Sequence, residues 1–183
     1  MSTKTLMTVE QYAQMDTTDT ERFELVEGEL IPVSSGTPLH AKVRDLLVFY
    51  LLGYFRKNPI GMVLAEIDCL LGEATVLCAD ISIFLADRSQ RIAMRKVPIP
   101  FAPGIAAEVL SPSHSAMEVN RRIRRFLDAG CQEVWLLDTE NGAILVHAPN
   151  GIRSIQATQQ LESPLLPGFS VPVAELLMLD RAE

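Results

Sequence analysis

The chain has 183 residues, enough for one domain with a substantial core and too few for two. Its 48% apolar and 21% charged content is that of a globular protein, which excludes disorder or a coiled coil as a reading of the whole. The net charge of −7, taken alone, argues against a nucleic-acid partner, and the apolar run from Leu46 to Phe55 is about half of what a membrane span needs.

In chain order, Thr8 and Gln11 have capping-box spacing and open a short helix over Val9, Tyr12 and Met15. Phe23-Glu24-Leu25-Val26 and Leu30-Ile31-Pro32-Val33 bracket Glu27-Gly28 as a hairpin, with Pro32 placing its second strand at an edge. From Pro38 to Arg56 apolar residues recur at helical spacing (Leu39, Val43, Leu46, Leu47, Tyr50, Leu51, Tyr54), and Asn58-Pro59 stops that helix. Strands are expected over Val63 to Leu71 and Thr75 to Leu85, the second largely buried. Asp87 to Pro103 reads as a loop containing one helical turn.

Gly104 to Leu110 is a short apolar strand. Ser113 or Ser115 can cap the following helix, Ala116 to Ala129, which Gly130 terminates. Next come a strand at Glu133 to Leu137, an Asn141-Gly142 turn, and strands at Ile144 to Val146 and Ile152 to Ile155. A short helix over Val173 to Leu179 closes the chain. This order gives an α/β (α+β) fold: a single domain with a mixed central sheet flanked by helices. The strand, helix and strand from Gly104 to Leu137 form its parallel crossover.

Charge is unevenly distributed. Arg88, Arg91, Arg95, Lys96, Arg121, Arg122, Arg124 and Arg125 fall in one window opposed only by Glu108 and Glu118. That window is either a nucleic-acid contact or an ordinary solvated face. The three cysteines, Cys69, Cys78 and Cys131, show no metal or disulfide spacing, as expected of a reducing cytoplasm. The polar start Met1-Ser2-Thr3-Lys4 points to no secretory leader, and the expected location is cytoplasmic.

Two carboxylates stand where strand propensity disfavours them. Asp80 interrupts Val76 to Phe84 and Glu108 interrupts Ile105 to Leu110. A buried carboxylate needs pairing, hydrogen bonds or a metal. Two on neighbouring strands suit a divalent cation, with the Val109 carbonyl as a further ligand. The competing structural reading is that each points to solvent or pairs with an arginine. Ser111, Ser113 and His114 suggest a hydrolase, but no Gly-x-Ser-x-Gly elbow is present and the serines suit turns and caps.

Nearly the whole chain resembles the Uma-type restriction endonucleases, a PD-(D/E)XK-like family also known as domain of unknown function 820. The matching segments are Met7 to Tyr12, Phe23 to Leu30, Ser34 to His40, Ala79 to Phe84, Ala107 to Ser113, Ala129 to Asp138 and Ser163 to Phe169. The resemblance implies a restriction-endonuclease-like domain over 1–183, with the helix and hairpin of 8–33 and the helix of 173–179 as additions. It implies a metal-dependent DNA endonuclease in which Asp80 and Glu108 bind Mg²⁺ or Mn²⁺, and a homodimer. Glu24 and His40 occupy positions typical of the family and are additional site candidates. Arg121, Arg124 and Arg125 are candidates for nucleic-acid contact.

The chain departs from the family pattern in two places. Ala79 replaces a proline, which affects strand geometry rather than chemistry. Arg122 replaces the usual lysine, which is a compact charge able to shift its pKa, whereas arginine is planar and stays charged. An i, i+4 pair with Glu118 is the structural alternative for Arg122. Three functions remain open: a nuclease, a catalytically impaired homologue serving as a nucleic-acid-binding or dimeric interaction module, and a soluble structural protein with no nucleic-acid role.

Overall fold

The computed structural model describes residues 6–15, 22–33, 36–111 and 115–179. The capping box forms as expected and opens α1 (Val9–Ala13), with the Gln11 N–H donating to Thr8 Oγ1 and the Thr8 N–H to Gln11 Oε1. β1 (Arg22–Val26) and β2 (Glu29–Val33) form the expected hairpin. Its turn residues Glu27 and Gly28 have φ of +52° and +84°, the pair of positive angles that matches strand twist in a two-residue turn. A Cβ on Gly28 would also lie 2.8 Å from Leu6 Cβ. Pro32 falls on β2, the outermost strand, where its missing N–H costs no ladder bond.

Thr37 caps α2 (Pro38–Lys57), whose inner face buries Val43, Leu47, Leu51, Tyr54 and Phe55. β3 (Gly61–Gly72) and β4 (Thr75–Leu85) pair along nearly their full lengths. The single helical turn of the next segment is α3 (Ala86–Ser89). β5 (Ile105–Val109) then leads to α4 (Ala116–Asp128), capped by Ser115 and stopped by Gly130 at φ +89°. Ser113 and His114 lie outside the described residues. β6 (Glu133–Asp138) runs parallel to β5, the expected crossover. β7 (Ala143–Ala148) and β8 (Gly151–Gln156) extend the sheet antiparallel.

The structure departs from expectation at one turn and in the tail. Asn141-Gly142 belongs to a four-residue loop rather than a two-residue turn, because Asp138 Oδ1 accepts the N–H groups of Glu140 and Asn141. β9 (Gln160–Glu162) and β10 (Ser170–Pro172) form a small separate sheet that the sequence reading missed. The final helix, α5 (Val173–Leu176), is shorter than expected, and the chain reverses through Met178 at φ +58°.

The main sheet has the order β2-β1-β4-β5-β6-β7-β8, with β3 on the other edge of β4. One face packs against α2 and the C-terminal segment, through Ile81, Ile83, Ile105, Ala107, Val109, Trp135, Leu47, Leu51 and Phe169. The other packs against α4, through Leu77, Ala79, Ala106, Val134, Ile123 and Phe126. No helix of the described residues is long and apolar enough to cross a membrane.

Candidate active site

β1 and β5 share one edge of β4. β1 pairs at Leu25↔Val76 and β5 at Ile81↔Ala107 through Ile83↔Ile105, which leaves residues 77–80 without a neighbouring strand on that edge. The candidate residues gather in this fork. The β4–β5 ladder ends one step short of Asp80 and Glu108, which the same register would set opposite each other.

β4 is irregular at that point. Leu77 and Ala79 pack toward α4 while Ile81 and Ile83 pack toward α2, so the alternation of faces inverts at Asp80. Across from it the β3 ladder steps from Ala65↔Ile81 to Ile67↔Ala79, with Glu66 between them at φ +48°. Asp80 therefore lacks a regular partner on both sides and is held by its own side chain. Its Oδ2 accepts the Val109 backbone N–H at 2.8 Å and lies 3.0 Å from His40 Nε2. That contact raises the His40 pKa above its ordinary value, Asp80 being the main cause and burial opposing it.

Arg122 fills the fork. Its Nε donates to Glu108 Oε1 at 2.6 Å, its Nη1 to Glu24 Oε1 and Oε2 at 2.7 and 2.6 Å, and its Nη2 to the Cys78 carbonyl at 2.6 Å. Glu24 Oε1 also accepts the Cys78 N–H at 2.8 Å. The backbone donor and acceptor of Cys78 that face the missing strand are thus satisfied by side chains, as a buried backbone requires. Glu118 is engaged in the α4 capping box with Ser115, while Arg122 turns inward rather than pairing at i, i+4. Burial pushes the Glu108 carboxyl up to about 8, against the opposing pull of Arg122, and the nearby Asp80 adds to the rise. Burial opposes the charge on Arg122, but Glu108 and Glu24 together hold its pKa above the ordinary value.

The donor chemistry suits a hard divalent cation. Asp80 Oδ1 and Glu108 Oε2 accept no hydrogen bond among the described residues and are not among their buried unpartnered atoms. Those two oxygens, with the Val109 carbonyl on the same strand as Glu108, could hold Mg²⁺, which is commonly bound by one or two carboxylates with water and phosphate oxygens. No cage of three or more His, Cys, Asp or Glu side chains exists among the described residues.

The structure brings Asp80, Glu108, Val109, Arg122, Glu24 and His40 together. The remaining arginines are dispersed. Arg121 and Arg124 are exposed on α4, while Arg125 pairs with Glu27 at 3.1 Å. Arg88 is turned inward onto the carbonyls of Ala102, Pro103 and Gly130, and Arg91 stacks on Phe101. Cys78 enters the site unforeseen, and it does so through backbone atoms that no residue type signals. The Tyr12 hydroxyl, donating to Asp68 Oδ2 and to the Phe23 carbonyl beside β1, was likewise not foreseen.

A mixed sheet with one parallel pair, helices on both faces and an acidic fork at its centre defines a nuclease-like α/β fold of the restriction-endonuclease kind. The chain belongs to the Uma2 family, described as putative restriction endonuclease, which residues 9–174 match. The fold is shared with a crystal structure of a putative nuclease belonging to DUF820 from Anabaena variabilis ATCC 29413, at a TM-score of 0.81 and 21% identity. That match covers 94% of this chain and 98% of the other. No curated protein matches.

Proposed function

We propose that the protein is a divalent-metal-dependent DNA endonuclease acting at the β1/β5 fork. The observation that carries this reading is the placement of Asp80 and Glu108 at the point where β4 and β5 stop pairing. Each of the two keeps one oxygen without a hydrogen-bond partner among the described residues. Mg²⁺ or Mn²⁺, when bound, supplies charge for the scissile phosphate and a lowered pKa for the attacking water. The Val109 N–H and His40 fix the Asp80 carboxylate. Arg122 holds Glu108 by one oxygen and presents positive charge where charge develops on the phosphate.

Residues 1–183 act as one unit in this reading. The helix and hairpin of 8–33 are an addition that contributes Glu24, and the C-terminal segment of 173–179, with α5, is a second addition. The active form is a homodimer, since cutting both strands of a duplex calls for two sites related by symmetry. Divalent-ion-dependent nicking or cutting of plasmid DNA, abolished by Asp80→Ala and by Glu108→Ala, is the expected result. An intact plasmid across several DNAs with Mg²⁺ and Mn²⁺ would overturn it.

One observation favours a second reading, a catalytically impaired homologue that binds nucleic acid or acts as an interaction module. Arg122 is held by Glu24, Glu108 and the Cys78 carbonyl, and it cannot exchange a proton with water as a lysine can. This reading expects salt-dependent DNA binding with no cleavage.

A further inference from the structure

The outer face of α2 carries a stripe that the nuclease chemistry does not use. Asp45, Phe49, Leu52 and Arg56 are all exposed, Phe49 at 68% and Leu52 at 55%. Steps of four, three and four residues confine them to an arc of about 60° along roughly three helical turns. The opposite face of the helix, through Val43, Leu47 and Leu51, is packed on the sheet, so the stripe points away from the core. Beside it, Gly53 leaves open space, as a Cβ there would meet nothing within 4 Å. On the same side lies a groove of about 480 Å³, with Leu46, Phe49 and Met178 for its apolar wall, Asp45 and Glu175 as acids and Lys42 as a base.

The order along the stripe is acid, aromatic, aliphatic, base. Read backwards it becomes base, aliphatic, aromatic, acid, which is the complement of itself. We propose that this stripe is the homodimer interface, with α2 antiparallel to α2 of a second copy about a two-fold axis between Tyr50 and Leu51. Phe49 then packs on the partner subunit's Leu52 and Asp45 faces the partner subunit's Arg56, each contact occurring twice. An isologous interface demands this self-complementarity. Within its own chain Asp45 uses Oδ1 to hold Arg44, at 2.9 and 3.0 Å, and keeps Oδ2 for a second guanidinium. Arg56 has no ion pair among the described residues. The apolar wall of the groove suits the aliphatic stem of the arginine that the two-fold axis directs toward it, and its two acids against the one base, Lys42, suit the charged head.

The inference rests on the dimer of the proposed function and assigns it a surface. Sedimentation equilibrium on the full chain tests both without any nuclease assay. The wild-type chain is expected to dimerise. Asp45→Arg alone, or Arg56→Asp alone, sets like charges opposite each other twice and should weaken the dimer about tenfold or more. The double substitution Asp45→Arg/Arg56→Asp should restore it, and Phe49→Glu should abolish it. All four positions are exposed, and circular dichroism verifies that the variants fold. A monomeric wild-type chain would overturn both the dimer and its surface. A dimer indifferent to these substitutions would overturn the surface alone, and a double variant weaker than either single one would overturn the antiparallel pairing.

Discussion

Arg122 and Glu24 lie 98 residues apart, yet one guanidinium nitrogen reaches both oxygens of that carboxylate at 2.7 and 2.6 Å. The same side chain closes on Glu108 and on the Cys78 carbonyl, so an arginine from a helix occupies the place of an absent strand between β1 and β5. Structure and chemistry therefore depend on one residue. The guanidinium balances the acids whose convergence would otherwise be unfavourable.

Truncating Arg122 should be costly for stability. Arg122→Met leaves Glu24, only 7% exposed, and Glu108 without their counter-charge, and strips the Cys78 carbonyl of its donor. Breaking a buried pair by removing one partner costs about 3–5 kcal/mol. Urea denaturation should show a loss of that order, and adding Glu24→Gln should recover part of it. A loss no larger than that of an exposed α4 arginine would show the cluster to be weakly coupled.

Arg122→Lys should act in opposite directions on activity and stability. An ammonium cannot span Glu24, Glu108 and Cys78 at once, so about 1–3 kcal/mol of stability should be lost through unmade hydrogen bonds. The same change places a compact, titratable charge beside Glu108, and positioned proton transfer contributes about 10²–10⁴-fold to rates. Plasmid nicking with Mg²⁺ should rise at least about tenfold over wild type, within that range. An unchanged rate would remove the arginine as the cause of any weak activity.

Asp80 and Glu108 were legible in the sequence because a carboxylate in an otherwise apolar strand breaks the pattern that burial imposes. The strands, helices and β5–β6 crossover were legible for the same reason, since period and caps determine them locally. What could not be read was how β1 and β5 divide one edge of β4. Strand order along an edge is a tertiary outcome, and Cys78 takes part through N–H and C=O groups common to most residues. For Arg122 the spacing to Glu118 offered a helix-surface pair as the alternative to a place in the site, but Glu118 serves Ser115 in the capping box and the arginine turns inward. β9 and β10 are three residues each, too short to display a period.

Glu108 makes stability and metal response depend on pH in a stated sense. Its folded carboxyl is pushed to about 8 from an ordinary 4.5, so between those values the folded chain holds a proton that the unfolded chain has lost. Stability without metal should therefore fall as pH rises across that window and level off above it. A bound divalent cation favours the ionised carboxylate, so Mg²⁺ should raise the melting temperature more at pH 8 than at pH 5. Thermal melts with and without MgCl₂ across this range test the coupling. A shift that is flat or larger in acid would contradict it.

His40 should titrate above its ordinary 6.5, because the Asp80 carboxylate at 3.0 Å stabilises the imidazolium. Its contribution to stability is complete below the unfolded value and is lost as pH rises through the folded one. His147, whose pKa burial lowers, supplies an internal contrast. NMR titration of the imidazole resonances should place His40 above His147, and Asp80→Asn should bring His40 down. An Asp80→Asn variant with His40 unmoved would show that the contact does not govern its ionisation.

The exposed arginines of α4 should separate from the buried ones in DNA binding. Arg121 and Arg124 reach solvent and, among the described residues, make only intrahelical hydrogen bonds, to Met117 and to the Asn120 carbonyl. Each neutralised phosphate contributes about 0.9 to the slope of log affinity against log salt. Arg121→Ala and Arg124→Ala should each reduce that slope by about one, with the fold intact. Arg125→Ala should have a smaller effect, because Arg125 is already paired with Glu27. Arg88→Ala should leave the slope unchanged and lower the melting temperature, because Arg88 serves three backbone carbonyls rather than the surface. Fluorescence anisotropy over a salt series distinguishes these outcomes, and a slope indifferent to both α4 arginines would move the DNA track away from that helix.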